Sequence, residues 1–172
     1  MDDTANGPPD PEDLANRAAM EHWDAVVADL EATAAEYAEA GWETLQIHPG
    51  DVAVLEGADG PGPGFDVLVP DPEFADLAAV FEAGGEVDET TVYRASVESM
   101  TYLVVVLQHT GGTAVLVPVY YRVGDGTVEA AVRRARETGE WLTRLRTLTD
   151  DEIVVGHGDP DLFAPETADG EP

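Results

Sequence analysis

Two amino acids are missing altogether from this 172-residue chain: it has no cysteine and no lysine. Without cysteine there can be no disulfide, no thiolate metal site and no thiol nucleophile. Without lysine there is no phosphate loop of the Walker type, no Schiff-base amine and no Lys–Ser hydrolytic pair. A polybasic membrane patch is excluded on the same ground. Serine is nearly absent too. Ser96 and Ser99 are the only two, and neither lies in a G-x-S-x-G elbow, which argues against a serine hydrolase triad. No apolar run approaches the ~20 residues a membrane helix needs. No basic segment followed by a hydrophobic one marks a secretory leader. The expectation is a cytoplasmic protein with no membrane span.

What is abundant is negative charge. Thirty-six Asp and Glu stand against eight basic residues, all arginine, for a formal net charge of -28. Self-repulsion on that scale burdens a folded chain in dilute buffer. At molar salt the Debye length shrinks to about 3 Å and most of the repulsion vanishes. The acids are spread along a chain that also carries strong apolar segments, so the pattern predicts halophilic adaptation of a folded protein rather than an acidic disordered one. Carboxylates this common cannot mark a site by themselves.

The strongest apolar signal is Thr101 to Tyr121, where T-Y-L-V-V-V-L-Q and T-A-V-L-V-P-V-Y-Y flank the turn H-T-G-G. This spacing predicts a central β-hairpin. Leu103 to Leu107 show no polar alternation, so both faces of that strand should be covered. Ahead of it, Trp23, Val26, Val27, Leu30, Ala34 and Tyr37 form one stripe of a helix running from about Pro11 or Leu14 to Ala40. Short strands are predicted over Trp42–His48, Asp51–Leu55, Phe65–Val69 and Thr90–Val97, with a bulge or bend at Ser99-Met100. A second helix is predicted to start at Asp71-Pro72-Glu73, with Asp71 as its cap. A third should be capped by Thr127 and stopped by Gly139. Trp141–Leu148 and Glu152–Val155 read as two more strands. The stretch from Phe65 through the second helix to Thr90 could form a parallel crossover.

The fold class is therefore α+β: a mostly antiparallel sheet built around the 101–121 hairpin with about three helices packed on it. A single domain over 14–163 is expected, preceded by a disordered acidic tail over 1–13 and followed by a flexible tail over 164–172. The loop G-A-D-G-P-G-P-G from Gly57 to Gly64 lacks the G-x-G-x-x-G order and is not followed by a helix, so it makes a poor cofactor loop. No cofactor is expected.

Arginine is unevenly placed. Arg122, Arg133, Arg134, Arg136, Arg144 and Arg146 fall between residues 122 and 148, where only four acids occur. Such an island could bind an acidic protein partner, since guanidinium suits bidentate contact with carboxylates. It could equally neutralise carboxylates of its own fold, especially near a helix C-terminus. Nucleic acid is not an expected partner, because the whole-molecule field opposes it. Tyr120 and Tyr121 should point to opposite faces of one strand. Tyr121 joins the arginines as an interaction candidate, and an edge strand with an exposed aromatic would favour a homodimer.

Two turns place histidine among acids: His48-Pro49-Gly50-Asp51 and His157-Gly158-Asp159. Either pair (His48 with Asp51, or His157 with Asp159) has groups suited to metal binding or base catalysis. Neither matches H-E-x-x-H, and chance pairing is easy in so acidic a chain. His22 is expected to pack beside the helix stripe, and His109, at the hairpin turn, to be exposed. Trp42, Tyr93, Tyr120, Tyr121 and Trp141 could line a pocket between sheet and helices, and the ligand reading places that pocket against the first helix.

The segments Tyr37–Val52, Phe65–Asp71 and Gly112–Tyr121 resemble a haloarchaeal family of small acidic cytosolic proteins of unknown function, over most of residues 14–163. The resemblance implies a salt-rich archaeal cytosol and brings no activity, ligand or catalytic residue. Function is thus bounded rather than identified. The leading expectation is a protein-interaction or self-associating module. The alternative is a small-molecule-binding protein or a metal-dependent enzyme using the histidine and aspartate turns.

Overall fold

The computed structural model describes residues 11–57, 62–124, 126–149 and 151–165, with side chains from Trp23 onward. Most of the two expected tails, the middle of the Gly57–Gly64 loop and the side chain of His22 lie outside the described residues. Helix α1 (Pro11–Glu39) is followed by strands β1 (Glu43–Gln46), β2 (Asp51–Leu55) and β3 (Gly64–Leu68). Helix α2 (Asp71–Glu82) leads to β4 (Val87–Val97), β5 (Met100–His109) and β6 (Thr113–Arg122). Helix α3 (Thr127–Thr138), β7 (Trp141–Arg146), β8 (Glu152–His157) and a 3₁₀ turn (Pro160–Phe163) complete the order.

The class is α+β, but the strands divide into two four-stranded sheets instead of one. The first has the order β1-β6-β5-β4 and the second β2-β3-β7-β8. Each is antiparallel except for one parallel pair, β1 with β6 and β3 with β7. The hairpin is at the centre of the first sheet, in the register Val105 opposite Val117. The crossover through α2 does not make a parallel pair: β3 belongs to the second sheet and β4 to the first, so α2 links the two sheets.

Packing explains why β5 has no polar face. Leu103, Val105 and Leu107, with Val115, Val117 and Val119, meet Phe65, Val67, Trp141, Leu145 and Val155 of the second sheet in one buried cluster. Tyr102, Val104, Val106, Ala114 and Leu116 point the other way, onto Val26, Leu30 and Ala34 of α1. Each buried Val or Leu contributes roughly 1.5–3 kcal/mol, so this pair of strands anchors both layers. Between the sheets, Phe163 from the 3₁₀ turn stacks on Trp141 at a centroid distance of 5.5 Å and meets Phe65 edge-on at 5.7 Å.

Local details depart from expectation by a residue or two. Helix α1 begins at Pro11, the earlier of its two expected starts, and so takes in the last residues of the stretch read as tail. Pro70, not Asp71, holds the N-cap position of α2, and Asp71 and Glu73 instead favour its first turn by charge. Gly126, in the left-handed region, caps α3 in place of Thr127. Glu98 and Ser99 form a tight turn between β4 and β5, with Glu98 at φ 54, one residue ahead of the expected bulge or bend at Ser99-Met100. Gly64 shows what the glycine-rich loop is for. A Cβ there would lie 1.8 Å from the Leu142 carbonyl oxygen, so only glycine lets β3 start beside β7.

Candidate functional site

The arginines are distributed over three elements. On α3, Val128, Ala131, Val132 and Ala135 face the core, leaving Arg133, Arg134 and Arg136 in solvent. Arg136 pairs with Asp161 at 2.8 Å. On the outer face of β7, Arg144 pairs with Glu152 across the strand, and Arg146 Nε reaches both oxygens of Asp66 at 2.8 and 3.1 Å. Arg122 donates to Ser99 Oγ at 3.4 Å. Arg133 and Arg134 have no ion-pair partner among the described residues. Three of the six thus neutralise carboxylates of their own fold.

Tyr121 is not a surface residue. Its side chain lies in the buried cluster, 5% exposed, and its hydroxyl donates to the Phe163 carbonyl at 2.8 Å. Burial pushes its phenol pKa well upward. Tyr120, one residue earlier, points to the opposite face, onto α1.

Neither histidine turn brings its own histidine–aspartate pair into contact among the described residues. Glu73, in the first turn of α2, accepts from the backbone N–H of His48 at 2.7 Å and contacts its Nδ1 at 2.7 Å. The imidazole's partner is therefore Glu73 and not Asp51. His157 ends β8 inside the protein, with Thr143 Oγ1 at 2.9 Å from Nε2 and Thr90 Oγ1 at 3.1 Å from Nδ1. Desolvation lowers its pKa from 6.5 to about 4. The neutral ring bridges two hydroxyls, and Asp159 makes no hydrogen bond or ion pair with it among the described residues. Nor do three His, Asp or Glu side chains gather into a metal-binding group among those residues.

His109, expected at the surface, is 2% exposed. It ends β5 on the face turned toward the second sheet, where its Nδ1 accepts from Gly111 N–H at 3.0 Å and Phe81 meets the ring edge-on at 5.2 Å.

A cleft of about 260 Å³ lies between α1 and the first sheet. Its walls are Trp23, Met100, Tyr102 and Tyr120, and the β1–β2 turn contributes Pro49 to Val52. Trp23 meets Tyr120 edge-on with centroids 5.3 Å apart, and Tyr102 is tilted against Tyr120 at 6.5 Å. Burial raises both tyrosine pKa values, and for Tyr120 the nearby Asp51 carboxylate adds to the rise. Both phenols are neutral over the physiological range. A second cavity of about 270 Å³ shares Val52, Met100 and Tyr120 and continues toward Arg122 and Thr127.

The sequence reading placed a pocket against the first helix and named Asp51 and Tyr120 among its candidates. It missed Trp23, Met100 and Tyr102. A signal for two of them existed: Trp23 is on the apolar stripe of α1, and Tyr102 shares the period-2 face of Val104 and Val106.

Two sheets packed face to face, with a helix over one of them and an aromatic cleft at that helix's edge, define a two-sheet α+β domain. The chain belongs to a family of unknown function, DUF7529, whose model matches residues 12–165. No curated protein and no solved structure matches it.

Proposed function

We propose that this is a non-catalytic interaction module of a salt-rich cytoplasm, self-associating through the free edge of its first sheet. The observation that carries this reading is β4. It is an edge strand of eleven residues, exposed from Tyr93 to Ser96, with Tyr93 44% open to solvent. It has neither proline nor an inward-turned lysine to deter pairing, and its bulge is confined to the Val87–Glu89 end.

A second copy is the occupant that suits the edge. Asp88 and Glu89 lie near one end of β4 and Arg94 in its other half. Antiparallel pairing about a two-fold axis turns the Arg94 half of each copy toward the acidic end of its partner. The product is a continuous eight-stranded sheet. Two bodies of this charge repel in dilute buffer, so the dimer forms at molar salt and separates as salt is withdrawn. Arg133 and Arg134, exposed and outside the internal ion pairs, support a second contact with an acidic protein partner.

The test is chromatography with light scattering across a KCl series, on the native chain and on a Tyr93→Lys/Ala95→Lys double variant. A dimer is expected for the native chain in molar KCl and a monomer for the variant, with matching circular dichroism. A native chain that stays monomeric at every salt and protein concentration overturns the reading.

A further inference from the structure

We propose that the cleft between α1 and the first sheet binds a small zwitterion: an alkylated ammonium group held by Trp23, Tyr102 and Tyr120 beside Asp51, and a carboxylate held by Arg122. Neither cavity involves a residue of β4, so this site stands or falls independently of self-association.

The sign of the charge comes from the lining. Among the described residues Asp51 brings the one carboxylate to the inner cavity, and no basic side chain lines it. An anion there would face that carboxylate at close range. A cation meets it, together with aromatic rings whose π faces attract positive charge within about 6 Å of the centroid.

The degree of alkylation follows from hydrogen bonding. A bare ammonium brings three N–H donors, each needing an acceptor once buried. The Tyr102 hydroxyl oxygen is buried, so the described side chains offer two acceptor groups, the Asp51 carboxylate and the Tyr120 phenol, for three diverging donors; the rest of the wall is ring face, thioether, proline ring and valine. Methyl groups on nitrogen spread the charge over C–H surface that packs on rings and on Met100 without needing acceptors. The same feature lets the cleft discriminate against the hydrated potassium or sodium ions of a molar-salt cytoplasm.

The carboxylate follows from the adjoining cavity. It shares Val52, Met100 and Tyr120 with the first and ends at Arg122. Among the described residues the Arg122 guanidinium makes one long contact, to Ser99 Oγ at 3.4 Å, which leaves donors for a bidentate carboxylate. Its field also reaches the cleft, where it partly offsets the rise in the Tyr102 pKa. Volumes of about 260 and 270 Å³ suit a ligand of a few carbon atoms.

Titration calorimetry in constant molar KCl, with glycine betaine, choline and acetate as probes, tests the assignment. Glycine betaine is expected to bind saturably, choline more weakly, and acetate not at all. Tyr120→Leu should weaken betaine and choline alike by about tenfold or more, whereas Tyr120→Phe, which keeps the ring, should leave both nearly unchanged. Arg122→Gln should weaken betaine by about tenfold and spare choline. Folding of each variant is checked by thermal unfolding, so that lost binding is not lost structure. Absence of saturable binding by betaine and choline overturns the site. Equal loss of both in Arg122→Gln overturns the zwitterion, and binding untouched by Tyr120→Leu overturns its location.

Discussion

The two sheets have four strands each and one parallel pair each, yet they treat water differently. The central strands of the first, β5 and β6, are covered on both faces, by α1 on one side and the second sheet on the other. The second has its inner face in the core and its outer face open, where Asp66, Arg144, Arg146 and Glu152 pair with one another and Val154 is 43% exposed. The sequences record this difference. In β5, residues 101 to 107 are buried without a break. In β7, Trp141, Thr143 and Leu145 are buried while Leu142, Arg144 and Arg146 are half-exposed. Two-sided burial removes the polar half of the alternation, and one-sided burial preserves it.

That contrast can be attacked most strongly at the interface between the sheets. Trp141→Ala removes a fully buried ring that touches Phe65 and Phe163. It should cost about 3–5 kcal/mol, read by denaturant unfolding in molar KCl. A loss under 1 kcal/mol would mean that the inter-sheet core does not dominate. On the other face of the first sheet, Leu30→Ala should cost about 2–5 kcal/mol. Here the expected signature is local, with faster hydrogen exchange in α1 and in the α1-facing positions of β5, and protection retained in β7. Uniform loss of protection would show that the two layers unfold as one.

His157 offers a smaller, titratable handle on the second sheet. Its folded pKa of about 4 lies below its unfolded value of 6.5, so the unfolded chain binds the proton first as pH falls. The stability due to the neutral ring is complete above pH 6.5, declines as pH falls toward 4, and does not decline further below that. The full span is on the order of 3 kcal/mol. A His157→Asn variant should lose most of this pH dependence in its unfolding midpoint, and an unchanged slope would refute the assignment. The smallest effect belongs to the open face. Arg146→Gln should cost under about 1 kcal/mol, and the coupling to Asp66→Asn in a double-mutant cycle should shrink as salt rises. Coupling that persists undiminished in molar salt would mark this pair as effectively buried.

Much of the architecture was legible because it rests on periodicity and punctuation. The 101–121 hairpin, the stripe of α1, the α3 core face and the glycine that stops it are all local patterns. Strand partners were not legible. Nothing local to Glu43–Gln46 says that it pairs in parallel with Thr113–Leu116, and this missing information is what divides the strands between two sheets. Burial at strand ends was misread for the same reason. His109 and Tyr121 lie on faces whose covering comes from distant segments. The cleft was half legible: Asp51 and Tyr120 drew attention by type, whereas Trp23 and Tyr102 passed as core residues. The arginine cluster was visible as composition, but only the positions of Asp66, Glu152 and Asp161 reveal how much of it is internally matched.

Phe163 also bears on how the molecule is made. The ring that closes the space between Trp141 and Phe65 is contributed by a segment translated after every strand. A chain cut just before it keeps every strand described above, yet is left with a greasy, water-accessible gap between the two sheets. Loss of that four-residue segment would then turn a sealed interior into a surface of the kind that chaperones and proteases recognise.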